Sequence, residues 1–68
     1  MKYSIQWYTH EGERLSGSFP SYDLRTIQTL ATKQRMYVRA WNTNNEVKLD
    51  PRGKEIDLFP WEVAEEEY

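Results

Sequence analysis

The sequence contains no cysteine among its 68 residues. A disulfide framework and a zinc site built on thiolates are therefore both excluded. No run reaches the roughly 18 apolar residues of a membrane-spanning helix, and residues 1–5 lack the apolar core of a signal peptide. We therefore expect a cytoplasmic protein that does not contact a membrane.

Residue types that carry catalysis are equally scarce. The single histidine, His10, lies in a polar stretch without a positioned nucleophile, which favours a solvated turn over a general base. Gly12 and Gly17 are spaced as in a phosphate-binding loop, but the lysine that such a loop needs is missing. The acidic run 65–67 does not preorganise an oxygen cage for a cation. The sequence thus predicts no enzyme, no cofactor and no metal site.

The aromatic content is high for so short a chain. A single domain of this length buries only about 60% of the surface of its unfolded chain. Each aromatic side chain buries about 150–250 Å² when it is enclosed, so we expect some rings to be exposed or to contact another copy or a partner. The ten aromatic residues are Tyr3, Trp7, Tyr8, Phe19, Tyr22, Tyr37, Trp41, Phe59, Trp61 and Tyr68.

Charge is segregated along the chain although the net charge is only −2. Residues 1–33 carry four basic and three acidic side chains, residues 34–54 carry five and two, and residues 55–68 carry none and six. The middle segment could attract phosphate, while the acidic end would repel it or pair with the basic segment.

The first third of the chain has the pattern of a hairpin followed by a helix. Residues 2–9 alternate between apolar and polar side chains, and residues 14–19 are expected to form a second strand after a turn at Gly12. Ser21 is placed to cap a helix over about 22–34, with Asp23 in its first turn. The apolar stripe of that helix is Leu24, Ile27, Leu30 and Ala31.

The remaining elements are strands joined by short turns. Residues 35–42 and 46–49 form a predicted second hairpin around the asparagines at 44 and 45, and Asp50–Gly53 has a turn signature. A short fifth strand fits Ile56, Leu58 and Phe59, and Trp61 and Val63 are expected to fold back over the core.

This element order predicts an α+β fold with two layers. The order is β-β-α-β-β with room for the short fifth strand, and the antiparallel sheet carries the helix on one face while the other face stays open. We expect one domain over residues 1–63 and a frayed acidic tail over residues 64–68.

One strand carries the functional hint in the sequence. If residues 35–41 alternate, one row consists of Met36, Val38 and Ala40, and the other consists of Arg35, Tyr37, Arg39 and Trp41. Lys48 on the neighbouring strand would widen the second row. The sequence therefore predicts a binding surface made of these five basic and aromatic residues.

Three interpretations of this row remain open. Trp, Tyr and Arg are common in protein interfaces, which favours a non-enzymatic module that self-associates, as a homodimer, or binds a protein partner through this face or an edge strand. Arginine alternating with aromatic rings also suits nucleic acid, although the charge is not strongly basic. In the third interpretation Tyr37 and Trp41 belong to the core. The orientation of Met36, Val38 and Ala40 decides between the third interpretation and the first two.

Overall fold

A computed structural model describes residues 1–62 of the chain. The strands are β1 (Lys2–Tyr8), β2 (Tyr22–Asp23), β3 (Tyr37–Trp41), β4 (Glu46–Leu49) and β5 (Glu55–Ile56). One helix, α1 (Leu24–Gln34), and one 3₁₀ turn (Pro60–Glu62) complete the structure. The strands form an antiparallel sheet in the order β2-β1-β3-β4-β5, with α1 on one face. The predicted two-layer α+β fold is confirmed, while the predicted acidic tail and Val63 lie outside the described residues.

The predicted hairpin over residues 2–19 is wrong. After β1 the chain makes a single bridge between Tyr8 and Arg14, and the N–H of Leu15 donates to the carbonyl of Trp7 at 3.1 Å. Residues 16–21 are irregular, since glycine and serine fit a strand poorly. The strand that pairs with β1 here is β2, which aligns Tyr22 with Tyr3.

Helix α1 begins two residues later than the sequence predicts. Asp23, rather than Ser21, is the N-cap, and its Oδ1 accepts a hydrogen bond from the N–H of Thr26 at 3.0 Å. Hydrogen bonds from the Thr26 side chain and N–H lower the pKa of the Asp23 carboxyl. The cap therefore holds the first turn most firmly when Asp23 is ionised.

The end of α1 corrects the predicted extent of the next strand. Arg35 has φ 57° and ψ 44°, and its N–H donates to the carbonyl of Ala31 at 2.9 Å. A residue in this left-handed conformation ends a helix and does not fit a strand. β3 therefore begins at Tyr37, and Arg35 is not part of the alternating row.

The orientation of β3 is now clear. Val38 and Ala40 are fully buried on the side of the helix, and Met36 packs against the same core. Tyr37, Arg39 and Trp41 consequently lie on the opposite face of the sheet. The buried residues of the core between sheet and helix are Tyr3, Ile5, Trp7, Ile27, Ala31, Val38, Ala40, Val47 and Leu49.

The turn between β4 and β5 supports the helix. The Oδ1 of Asp50 accepts hydrogen bonds from the N–H groups of Arg52 and Lys54, both at 2.9 Å. Gly53 has φ 80°, and a Cβ atom there would lie 2.7 Å from the carbonyl oxygen of Gln28. The glycine thus allows the turn to approach the backbone of α1 closely.

Candidate functional site

The sheet face opposite α1, which we call the outer face, contains three cross-strand rows. Residues aligned between antiparallel strands project to the same side, so the register defines each row. The outer face consists of the pair Tyr8–Tyr37, the row Gln6–Arg39–Lys48 and the row Ser4–Trp41–Glu46.

One end of the outer face is covered by the segment Phe59–Glu62, which we call the C-terminal cover. The Phe59 ring centroid lies 5.3 Å from that of Tyr8 and 5.8 Å from that of Tyr37. The Trp61 centroid lies 5.5 Å and 5.1 Å from the same two rings, and it stacks on Phe59 at 4.7 Å. Phe59 is only 1% exposed, so these four rings form a second, smaller core.

An ion pair joins the C-terminal cover to the sheet. The Nζ of Lys48 lies 2.8 Å from Oε1 of Glu62 and 5.6 Å from the ring centroid of Phe59. The hydrogen bond from Lys48, together with one from the N–H of Phe59, lowers the pKa of the Glu62 carboxyl. Lys48 therefore already has an anionic partner within the chain.

Arg39 is also engaged by neighbours on the outer face. Its Nη1 lies 3.2 Å from Oε2 of Glu46, and its guanidinium carbon lies 4.8 Å from the centre of the Trp41 ring. The side chain of Arg39 is 40% exposed, so water screens this ion pair. The main effect of the two contacts is to hold the guanidinium group over the indole ring.

The other end of the outer face remains open around Trp41. This half-buried ring borders two surface concavities of about 410 Å³ and 430 Å³, which also share Asn42 and Thr43. Among the described residues, neither Nε of Arg39 nor Nδ2 of Asn42 has a hydrogen-bond partner, although both atoms are shielded from solvent. We call Arg39, Trp41, Asn42 and Glu46 the Trp41 patch.

The five sequence-predicted site residues do not form one surface. Arg39 and Trp41 adjoin each other in the Trp41 patch, while Tyr37 lies under the C-terminal cover and Lys48 is paired with that cover. Arg35 precedes β3, and its carbonyl oxygen lies 2.9 Å from Nε2 of His10. The structure therefore divides the predicted row into a covered half and an open half.

Two features of the site were missed from the sequence. The sequence predicts Asn42 as the last residue of the strand 35–42, but it follows β3, and its Nδ2 beside Trp41 has no hydrogen-bond partner among residues 1–62. Phe59 and Glu62 contact the sheet through side chains distant in sequence, which no local pattern reveals. Two signals were available. Arg39 and Glu46 carry opposite charges within one hairpin, where residues close to each other across two strands can pair. The acidic end of the chain was also a candidate to pair with the basic segment, as Glu62 does with Lys48.

The rings are better enclosed than the sequence suggests. All nine aromatic residues of the described part are buried or half-buried, and the tenth, Tyr68, lies outside it. Most of the aromatic content is therefore accounted for by the main core, the C-terminal cover and the loop after β1. Trp7, Phe19 and Tyr22 line a concavity of about 190 Å³ beside the main core, whereas Trp41 borders concavities on the outer face.

The sheet edges offer little length to a partner strand. Both edge strands, β2 and β5, have two residues each. Strand addition relies on a longer row of unpaired backbone groups than these provide. The outer face is therefore a better candidate for contact than either of these edges.

Comparisons with protein-family models, curated proteins and solved structures give no match to this chain. Within residues 1–62, no helix is long and apolar enough to cross a membrane. The same residues contain no group of three or more His, Asp or Glu side chains placed to hold a metal ion. His10 is exposed and stacks edge-on against Tyr37 at 5.4 Å, which is a packing contact.

Proposed function

We propose that this chain is a non-enzymatic interaction module that binds protein through the Trp41 patch. The observation that carries the proposal is the half-buried Trp41 ring, oriented by Arg39 at 4.8 Å and bordered by two concavities. Trp and Arg are the residue types that most often dominate the binding energy of protein interfaces.

The unpaired donors of the Trp41 patch support a partner that supplies hydrogen-bond acceptors. Arg39 Nε and Asn42 Nδ2 both carry N–H groups without an acceptor among residues 1–62. Leaving such groups unpaired costs free energy. Because both atoms are shielded from solvent, a partner's carbonyl or carboxylate oxygen would recover this cost only when the two side chains turn towards the contact. A protein surface offers both kinds of oxygen.

A second copy of the chain is the partner that the charges of the patch fit best. Arg39 and Glu46 lie side by side, so a copy related by a twofold axis can place its glutamate against Arg39 and its arginine against Glu46. A homodimer formed in this way needs no charge from another protein.

Nucleic acid is the weaker candidate. Arg39 and Lys48 each already have a carboxylate partner at 3.2 Å and 2.8 Å, and the Tyr37 ring is occupied by the C-terminal cover. A phosphate would have to displace these carboxylates. On the described outer face, a base would find Trp41 as the one ring that the C-terminal cover leaves open.

Sedimentation equilibrium tests the proposal with the full chain, a Trp41→Ala variant and an Asn44→Ala control. Asn44 borders the same concavity but presents no aromatic ring. We expect the wild type and the control to self-associate more strongly than the Trp41→Ala variant, which lacks the contact through the patch. A wild type that stays monomeric at high concentration, with Trp41 shielded from acrylamide in a comparison with Trp41→Phe, would contradict the proposal.

An oligonucleotide titration tests the weaker candidate separately. Fluorescence of the wild type and of Arg39→Ala is followed in low and in moderate salt. Nucleic acid would be favoured over protein if the wild type binds the oligonucleotide at low salt, if added salt weakens this binding, and if Arg39→Ala binds less tightly with a smaller salt dependence. We expect no binding at low salt.

A further inference from the structure

The C-terminal cover is attached to the sheet by side chains. Its own backbone hydrogen bonds are internal, because the N–H of Glu62 donates to the carbonyl of Phe59 at 2.9 Å and the N–H of Phe59 donates to Oε1 of Glu62 at 3.1 Å. Contact with the sheet comes from the Phe59 and Trp61 rings and from the ion pair of Glu62 with Lys48. Such a segment needs no backbone pairing to occupy its site.

The surface under the cover, which we call the cover site, is complementary to two aromatic rings and a carboxylate. It consists of the paired rings of Tyr8 and Tyr37 and the ammonium group of Lys48. The two tyrosine rings contact Phe59 and Trp61, and the ammonium group contacts the carboxylate of Glu62. The same four-residue segment is present in every copy of the chain.

The link between β5 and the cover has the properties of a hinge. Among the described residues, the backbone groups of Asp57 and Leu58 make no hydrogen bond. Leu58 is 53% exposed, and only Met1 is a comparably exposed large apolar side chain in residues 1–62. A change of backbone dihedrals at Asp57 and Leu58 would redirect the cover without breaking the sheet.

We propose that two copies of this chain exchange their C-terminal covers, so that the cover of each copy occupies the cover site of the other. Each copy then keeps every contact of Phe59, Trp61 and Glu62, which is why exchange of an identical element is a low-cost route to a dimer. The occupant follows from charge complementarity, since the acid of the cover meets the lysine of the site at 2.8 Å in the closed monomer.

The short hinge restricts the geometry of such a dimer. Two extended residues span about 7 Å, so the two cover sites must approach each other across β5. This arrangement brings the two Leu58 side chains close to the twofold axis, where they would be buried. It also leaves both Trp41 patches outside the exchange contact, so the exchange is independent of the proposed function.

A pair of charge-reversed full-length chains tests the exchange. Lys48→Glu places two carboxylates at the closed cover, and Glu62→Lys places two ammonium groups there, so each variant alone is repelled both within the chain and in a dimer of its own kind. Mixed together, the variants regain both attractive pairs only if the covers cross between copies. The matched control is the Lys48→Glu/Glu62→Lys double variant, which restores the pair within one chain.

All chains in this experiment carry Trp41→Ala, so that association through the Trp41 patch does not contribute. After co-refolding at high concentration, native mass spectrometry should show mixed dimers in roughly tenfold excess over dimers of either single variant. Mixed with the chain that carries Trp41→Ala alone, the double variant should show no such excess, because crossed covers would then pair like charges. Because Phe59 must leave its buried site, dimers should form slowly when the native variants are mixed and rapidly on co-refolding.

Two outcomes would overturn the exchange. Mixed chains that remain monomeric after co-refolding show that the covers do not cross. Mixed dimers that form at once on mixing and dissociate when salt is added show a surface attraction between opposite charges instead. Neither outcome bears on the Trp41 patch, whose own test uses the wild-type cover.

Discussion

A Cβ atom on Gly12 would lie 2.7 Å from Cδ2 of Trp61. The turn that follows β1 is therefore packed directly against the C-terminal cover, about fifty residues later in the chain. This contact joins three parts of the protein, because Trp61 also lies 5.1 Å from the ring of Tyr37 on β3. The glycine is required here for space as well as for its φ of 91°.

Gly12→Ala should displace Trp61 from this position. The added methyl group would overlap the indole ring, so the near-ultraviolet circular dichroism of the aromatic cluster should change. Gly17→Ala is the matched control, because Gly17 also has a positive φ, of 122°, but a Cβ there meets no atom within 4 Å. Identical near-ultraviolet spectra for the two variants would contradict the contact.

Gly53→Ala should destabilise the whole fold more than Gly17→Ala does. Both substitutions force alanine into a left-handed conformation, which costs about 1–2 kcal/mol. Only at Gly53 would the methyl group also press on the Gln28 carbonyl of α1, at 2.7 Å. Overpacking of this kind adds about 1–3 kcal/mol, measurable as a lower midpoint of guanidinium unfolding. Equal midpoints would show that the turn does not support the helix.

Phe59→Ala and Leu58→Ala should differ sharply although the residues are adjacent. Truncating the fully buried Phe59 should lower the free energy of unfolding by about 3–5 kcal/mol. Truncating the exposed Leu58 should change it by less than about 0.5 kcal/mol. Guanidinium unfolding of both variants measures the difference, and a small loss for Phe59→Ala would mean that the second core contributes little.

Asp23 should contribute to the acid sensitivity of the protein. Its pKa is lowered by the hydrogen bonds from Thr26, so the stability it supplies is present above the unfolded-state pKa of about 4 and is lost as the pH falls through the lower folded-state value. Asn caps helices nearly as well as Asp but does not titrate. The unfolding midpoint of Asp23→Asn should therefore fall less between pH 5 and pH 2 than that of the wild type.

An Asp57→Asn variant controls for the loss of a carboxylate. Asp57 caps no helix, and among the described residues its carboxylate accepts no hydrogen bond. The fall of the unfolding midpoint between pH 5 and pH 2 should therefore be smaller for Asp23→Asn than for Asp57→Asn. Equal falls would show that the cap contributes no pH dependence.

The fold could largely be predicted from the sequence because its main elements have clear periods. The alternation of β1, β3 and β4 and the apolar stripe of α1 identify the two layers. β2 could not be located, since a strand of two residues has no period and its pairing with Lys2 and Tyr3 is decided by tertiary contacts. The end of α1 could not be located either, because Arg35 ends the helix in the left-handed conformation, which arginine itself disfavours.

The candidate site could be predicted only in part. Alternation identified Tyr37, Arg39 and Trp41 as one row, and the burial of Val38 and Ala40 established which way that row faces. The sequence predicts that Trp61 folds back over the core but not which residues it covers, because nothing local to Phe59 or Trp61 indicates that Tyr8 and Tyr37 lie beneath them. The C-terminal cover packs on the Tyr37 ring and leaves the Trp41 ring open on the outer face.

The pairing of β1 with β3 also determines how the chain folds. The register joins Tyr8 to Tyr37 and Ser4 to Trp41, partners that are separated by 29 and 37 residues along the chain. Closing loops of this length is entropically costly, whereas the β3–β4 hairpin closes over a few residues. We expect that hairpin and α1 to form early, and the rate-limiting step to be the capture of β1 by β3. Although β1 is synthesised before β3 and β4, it would thus join the sheet after those two strands have paired.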